Sequence, residues 1–321
     1  MSRISPNQFL LSSSLIGLVA VLTGGAQGVG QSLVEQLHSA GAKIIFGDVD
    51  DKLSTNLVSA LNQNDTEETK RVHFVHCDTS NYTDQLRLFQ TAYKLYSRID
   101  IVIANAGIAI HRDPFAPTLD SEESILIAPN TAEIDVNLKG PLYTTRLGLH
   151  YLRKNDPSRT NGYKGDIVLV SSIAGFKECE GLTTYTASKH GVIGLMRGLA
   201  LQGEKEGIRI NTICPWMTKT RLVTGIEQGW YNLGLPANEP EDVARAILIC
   251  ATANRSKSQR HEGAVLPFSG KIVWVGGGKS YEIEDRIRAL EPEWLGRENS
   301  EVLKKGQEYL HSGKTSWDAS S

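Results

Sequence analysis

Ser172, Tyr185 and Lys189 are the side chains of this 321-residue sequence whose types and spacing could do chemistry together. Ser172 stands thirteen positions before Tyr185, and Tyr185 stands four before Lys189. Residues four apart on a helix share a face, so a phenol and an ammonium there can address one bound molecule. Tyrosine, with an ordinary pKa of about 10, is a poor base at neutral pH. A neighbouring cation stabilises the phenolate and should lower that value. Such a phenol can take a proton from an alcohol or give one to a developing alkoxide. The Ser172 hydroxyl can hold the same oxygen. Tyrosine and lysine four apart are common on helices, and the pair gains meaning from the elements around it.

Seven short apolar runs, rich in Val and Ile, punctuate the chain: Leu18–Thr23, Lys43–Asp48, Val72–Cys77, Asp100–Ala104, Asp166–Val170, Ile208–Ile213 and Lys271–Val275. They do not alternate polar with apolar, as expected of strands buried on both faces of a parallel sheet. Helical stretches lie between them, near 29–40, 51–62, 81–97, 131–153, 183–206 and 240–253. The pattern predicts one α/β domain, a doubly wound parallel sheet of seven strands with helices on both faces. Right-handed crossovers then set the C-terminal ends of the strands along one edge, where ligands bind. Residues 1–14 are expected to be a flexible leader, 15–281 the domain, and 282–321 a tail packing on the domain or on a neighbouring subunit. Trp294, Leu295, Leu303 and Leu310 in that tail suit a surface helix, a lid or a subunit contact.

Thr23, Gly24, Gln27, Gly28, Val29 and Gly30 follow the first of these strands and open the first helix. Glycines there allow positive φ and close backbone approach. The free N–H groups and the positive end of the helix suit a pyrophosphate. Asp48 ends the next strand, eighteen positions after Gly30. A carboxylate there can accept from an adenosine ribose and repel a 2′-phosphate, or it can simply cap the next helix. Gln27 stands in the turn where an arginine or lysine would favour the 2′-phosphate, so the expected cofactor is NAD.

Composition excludes several classes. A net charge of −2 offers no electrostatic footprint for nucleic acid. The apolar stretch from Phe9 to Leu22 is broken by serines and runs into the glycine turn, so neither a membrane span nor a cleaved signal is expected. Cys77, Cys179, Cys214 and Cys250 show no close pairing, which fits free thiols and a cytoplasmic protein. His73, His76 and Cys77 lie on one strand, where positions three apart face opposite sides, so no metal is expected.

The chain resembles the short-chain dehydrogenase/reductases across roughly Gly17 to Tyr281. The matching residues, all in family order, are the turn from Thr23 to Gly30, Asp78, Asn105-Ala106-Gly107, Asn137, Ser172, Tyr185 with Lys189, and Pro215 with Thr220. Three stretches look like the NAD-linked 15-hydroxyprostaglandin dehydrogenase branch: the glycine turn, the run from Tyr185 and the run from Asn211 to Pro215. The long tail is similar to that of natural-product tailoring members such as hydroxyanthraquinone side-chain dehydrogenases. The resemblance implies a Rossmann-type fold, Tyr185 as acid/base, Ser172 orienting the substrate oxygen, and Lys189 on the nicotinamide ribose. It implies that Asn137 positions a water leading from Lys189 to solvent. Asp78 is implied near adenine, Asn105 to Gly107 along the cofactor, and Thr218 and Thr220 at the carboxamide or phosphates. One departure stands out: Trp216 follows Pro215, where the family has glycine.

The expected activity is NAD-dependent oxidation of a secondary alcohol on a large, mostly apolar small molecule, in natural-product biosynthesis. The apolar inference rests on Trp216, Met217, Trp230, Tyr231, Leu233 and Leu235 in the segment after Pro215. Two alternatives stand beside it: NAD(P)H-dependent reduction of a ketone or imine by the same residues, and a non-redox dinucleotide-binding protein or cyclase. Gly191, Gly194 and Gly198 share one face of the Tyr185 helix and predict close packing of another helix, from the same chain or from a second copy in a homodimer or homotetramer.

Overall fold

A computed structural model describes residues 2–66, 68–157 and 162–312. In chain order the elements are β1 (Ser2–Ile4), α1 (Gln8–Ser13), β2 (Val19–Thr23), α2 (Gly28–Ser39), β3 (Lys43–Asp48), α3 (Asp51–Leu61), β4 (Val72–His76), α4 (Tyr82–Tyr96) and β5 (Ile101–Ala104). There follow α5 (Ala132–Ile134), a π-turn (Asp135–Lys139), α6 (Gly140–Leu152), β6 (Gly165–Val170), α7 (Thr183–Lys205) and β7 (Ile208–Pro215). The chain continues with α8 (Glu227–Asn232), α9 (Pro240–Thr252), β8 (Ile272–Gly276), β9 (Lys279–Glu282), α10 (Glu284–Ala289), α11 (Glu291–Leu295) and α12 (Arg297–Leu310).

The strands form one sheet in the order β1-β9-β8-β7-β6-β5-β2-β3-β4. The seven expected strands, β2 to β8, are parallel, and two antiparallel ones extend the β8 edge: β8 pairs with β9, and β9 with β1. The strand order reverses between β2 and β5, the place where a doubly wound sheet opens a crevice. One core lies under α2 and α9 and another under α4, α6 and α7, so both faces of the parallel strands are covered. This is why their sequences do not alternate.

Within the stretch expected to be a flexible leader, residues 2–14 carry a paired strand and a capped helix. Ser2 to Ile4 pair with Ser280 to Glu282 as β1, and α1 is capped by Asn7, whose side chain accepts from the Phe9 and Leu10 N–H groups. Leu10 and Leu15 are fully buried. The Asn7 N–H donates to His261 Nδ1 at 2.9 Å, and His261 Nε2 lies 2.9 Å from the Thr252 hydroxyl. Buried His261 therefore staples α1 to α9, and burial pulls its pKa down to about 4. In the tail, α10 is tied to α7 by a bidentate Arg197–Glu284 pair, whereas every residue of α12 is exposed except Ser300.

The helical stretch expected over 131–153 is interrupted. Pro141 has no N–H to give the Asn137 carbonyl four residues back, and its ring crowds that carbonyl. The ladder widens instead, and the Gly140 N–H donates to the Asp135 carbonyl. Such π-turns occur frequently at functional sites, and this one holds Asn137.

Candidate active site

The glycine turn runs from the end of β2 to the start of α2. Gly24 has φ +71°, and a Cβ on Gly30 would sit 1.8 Å from the Gly24 carbonyl oxygen, so neither position accepts a side chain. Gln27 is exposed and extended, and the free N–H groups of Gly28, Val29 and Gly30 begin the helix. Val29 leans on the core. Asp48 is buried at the end of β3, where it accepts from Ala26 N–H at 2.9 Å and from Asp50 N–H at 3.0 Å. It thus braces the glycine turn. The helix cap proper is Asp50, which accepts from Leu53 N–H. Asp78 accepts from the Ser80 backbone and hydroxyl just past β4.

Asn105, at the end of β5, donates to the carbonyls of Thr23 and Gly24, while the N–H groups of Asn105 and Ala106 donate to the Thr23 hydroxyl. These bonds span the β2–β5 reversal. A Cβ on Gly107 would lie 3.3 Å from Asn137 Oδ1 and 3.4 Å from Lys189 Nζ, so the cofactor segment meets the reactive residues there. From the other side Thr220 reaches back over the turn, 3.2 Å from where a Gly28 Cβ would be. Thr218, three residues past Pro215, is buried and donates to the Trp216 carbonyl. Glycines without side chains, a helix start and a strand-end carboxylate form a cradle that fits a dinucleotide.

Ser172, Tyr185, Lys189 and Asn137 are all buried, and they converge at the C-terminal ends of β6 and β7. Ser172 caps the turn Ile173–Gly175, accepting from Ala174 N–H at 3.2 Å, and its hydroxyl acts on the Tyr185 phenol to lower its pKa. The Lys189 ammonium lies 5.5 Å from the centre of the Tyr185 ring and donates to the Val170 carbonyl at 3.2 Å. Asn137 accepts from Ile108 N–H and donates to Ile108 O, both at 2.8 Å, and donates to the Ser188 hydroxyl at 3.3 Å. The phenol pKa expected to fall instead rises to about 12 in the chain itself, because burial outweighs the Ser172 hydrogen bond. Burial likewise pulls Lys189 down to about 8.

One buried side chain here escaped the sequence reading. Glu133, one turn before Asn137, accepts from Ile110 N–H at 2.8 Å and from the Thr184 hydroxyl. Its four-residue spacing from Asn137 was the available signal.

The segment after Pro215 is held by aromatic packing. Trp216 N–H donates to the Val275 carbonyl, continuing the β7–β8 pairing, so no positive φ is needed where the family has glycine. Its ring meets Trp230 edge-on at 5.0 Å and Trp274 at 6.2 Å; Trp274 in turn stacks on Tyr281. Met217 is buried, whereas Trp230 is partly covered and Tyr231 exposed on α8. His73 and His76 are separately engaged, His73 with Tyr96 and His76 with Asp51. On α7, Gly191 packs against Leu138 of the same chain, but a Cβ at Gly194 or Gly198 would meet nothing within 4 Å.

Residues 18–229 match the model of the short chain dehydrogenase family. The chain belongs to that family. It is 32% identical over 292 residues to the short-chain dehydrogenase/reductase ascJ of Acremonium egyptiacum, covering 87% of this chain and 93% of that one. It is 28% identical to a 5′-hydroxyaverantin dehydrogenase of Dothistroma septosporum, covering 92% and 95% of the two chains. It is 32% identical to the NAD(+) 15-hydroxyprostaglandin dehydrogenase of Rattus norvegicus, covering 66% and 72%. The protein is thus an oxidoreductase of the short-chain dehydrogenase family, a family that uses a nicotinamide cofactor and small-molecule substrates. Among the described residues, no helix is long and apolar enough to cross a membrane.

Proposed function

We propose that this short-chain dehydrogenase uses NAD to oxidise a secondary alcohol on a large, mostly apolar small molecule, in natural-product biosynthesis. The observation that carries the reading is the convergence of Ser172, Tyr185 and Lys189 beside Gly107 of the cofactor segment. A bound nicotinamide supplies the acceptor for the hydride leaving the alcohol carbon. Ser172 holds the substrate oxygen and Tyr185 takes its proton. Lys189 would hold the ribose and favour the phenolate, and Asn137 would lead protons to solvent through water. Gly24, Gln27, Gly28, Val29, Gly30, Asp78, Asn105, Ala106, Pro215, Thr218 and Thr220 would line the cofactor. Trp216, Met217, Trp230 and Tyr231 would bound the substrate, with Trp216 acting chiefly as the anchor of α8. The relatives' names, a 5′-hydroxyaverantin dehydrogenase and a 15-hydroxyprostaglandin dehydrogenase, support oxidation of a hydroxyl group. Free buried thiols support a cytoplasmic protein, and the open Gly194–Gly198 face supports assembly of two or four copies through α7.

The test is NADH formation, followed by absorbance, with a panel of apolar secondary alcohols. Tyr185→Phe keeps the ring and should lower turnover by about 10²–10⁴-fold while NAD binding survives. Turnover by Tyr185→Phe at the unaltered rate would refute the mechanism. Fluorescence titration should show NADH binding more tightly than NADPH, and Asp48→Ala should narrow that gap. Equal affinity of the unaltered protein for both would remove the case for NAD.

A further inference from the structure

Asn137 and Glu133 stand four residues apart and make the same pair of connections, one turn removed. Asn137 joins Ile108 of the cofactor segment to Ser188 of α7. Glu133 joins Ile110 of that segment to Thr184 of α7. Residues 108 and 110 lie two apart in the segment past β5, and 184 and 188 are one helical turn apart. The result is a two-rung ladder with Tyr185 between the rungs on α7. One rung is the amide read as part of the reactive set. The other is a carboxylate, 2% exposed, in a place where an uncharged side chain could make a similar brace.

We propose that Glu133 is a positioning residue: it braces Ile110 against the first turn of α7 and sets a fixed negative charge beside the Tyr185–Lys189 pair. The inference rests on the reading of those two residues as the reactive pair. After burial, the groups acting on Lys189 are Cys214 from β7 and Glu133 from α5, and both raise its pKa. Those acting on Tyr185 are the Ser172 hydroxyl, Cys179, Glu133 and Cys214. Burial holds the Cys214 thiol at about 12, so it stays neutral in the working range. Glu133 therefore supplies the fixed charge. It keeps the Lys189 ammonium protonated to higher pH than burial alone would allow, and makes the phenolate harder to form.

Two variants separate brace from charge. Glu133→Gln keeps the size and removes the charge; Glu133→Asp keeps the charge and shortens the reach. The readout is NADH binding against pH by fluorescence, which needs no substrate. For the unaltered protein the affinity should fall as Lys189 loses its proton. Glu133→Gln should move that fall to lower pH by about half a unit or more, and Glu133→Asp should leave it in place. Amide exchange should quicken at Ile110 in Glu133→Asp, while Ile108, held by Asn137, stays protected. An unmoved fall with Glu133→Gln, an equal shift with both variants, or unchanged exchange at Ile110 would overturn the proposal. If Glu133→Gln does not fold, an unshifted Glu133→Asp profile with faster Ile110 exchange supports it, and a shifted profile overturns it. If no alcohol is oxidised but these shifts appear, the dehydrogenase reading fails and the role of Glu133 stands. Absence of NADH binding by the unaltered protein would end both.

Discussion

At the N-terminal end of β6, Asp166 is buried between two arginines. Arg209 holds it with two hydrogen bonds of 2.6 and 2.7 Å, Arg255 adds a third, and Arg209 stacks on Tyr163 at 4.0 Å. Beside it, Asp100 accepts from Arg98 and from the Val19 N–H. At the other end of the same strand, Lys189 is equally buried but receives only the Val170 carbonyl, and no carboxylate among the described residues forms an ion pair with it. The sheet pairs its buried charges directly at one end, whereas at the other the Lys189 ammonium has no ion pair among the described residues and only the Glu133 charge nearby. Burial therefore depresses Lys189 and elevates Tyr185, whereas Asp166 has its counter-charges in place. The end without direct ion pairs is the one where the proposed function places a charged cofactor and a transferable proton.

Removing each charge in turn tests this contrast, starting with the largest effect. Lys189→Met should cut kcat/KM by about 10²-fold or more, since it removes a cation from the proton-transfer site. The same variant should hold or raise the urea midpoint, because a buried ammonium without a directly paired carboxylate is a cost to the fold. A clear fall in that midpoint would break the comparison. Asp166→Asn should do the reverse, with stability lost by about 3–5 kcal/mol because two buried guanidinium groups lose their partner. Activity per folded molecule should be kept, and denaturant titration alongside steady-state rates decides it.

The mildest test uses pH and the His261 staple. The folded pKa, about 4, lies below the ordinary imidazole value of 6.5, so the unfolded chain binds the extra proton first as pH falls. The stability held by neutral His261 is full above 6.5 and drains away between there and about 4. The shift is worth about 3 kcal/mol. Calorimetry across that range should show Tm falling, and His261→Ala should flatten the slope from a lower starting point. An equal slope in the variant would assign the acid loss elsewhere.

What the sequence disclosed follows from the kind of signal each feature leaves. The parallel strands were legible because burial on both faces makes them continuous apolar runs. β1 and β9 were not. Ser2-Arg3-Ile4 and Lys279 to Glu282 are short and polar, and neither forms a pair except with a segment at the far end of the chain or across a tight turn. The residues Ser172, Tyr185, Lys189 and Asn137 were legible by type and order, and the structure brings them together. Their electrostatics were not, because spacing reports a neighbouring cation but not the depth of burial that outweighs it. Glu133 left no local signal beyond its spacing from Asn137, because its partners lie 23 and 51 residues away in the chain. The π-turn was announced only by Gly140-Pro141 within an otherwise helical run.

The pairing of β1 with β9 also fixes an order of events. Ser2 meets Glu282 across the outermost ladder of the sheet, so β1 leaves the ribosome long before its partner and finds its place only after β9 has emerged. At about 5–20 residues per second, the wait is on the order of tens of seconds. Through that interval the growing β8 side of the sheet has no finished border, and the Asn7 turn has no His261 to receive it. Completion of the border thus waits for the last strand of the sheet, and is made by the earliest and latest strands of the domain together.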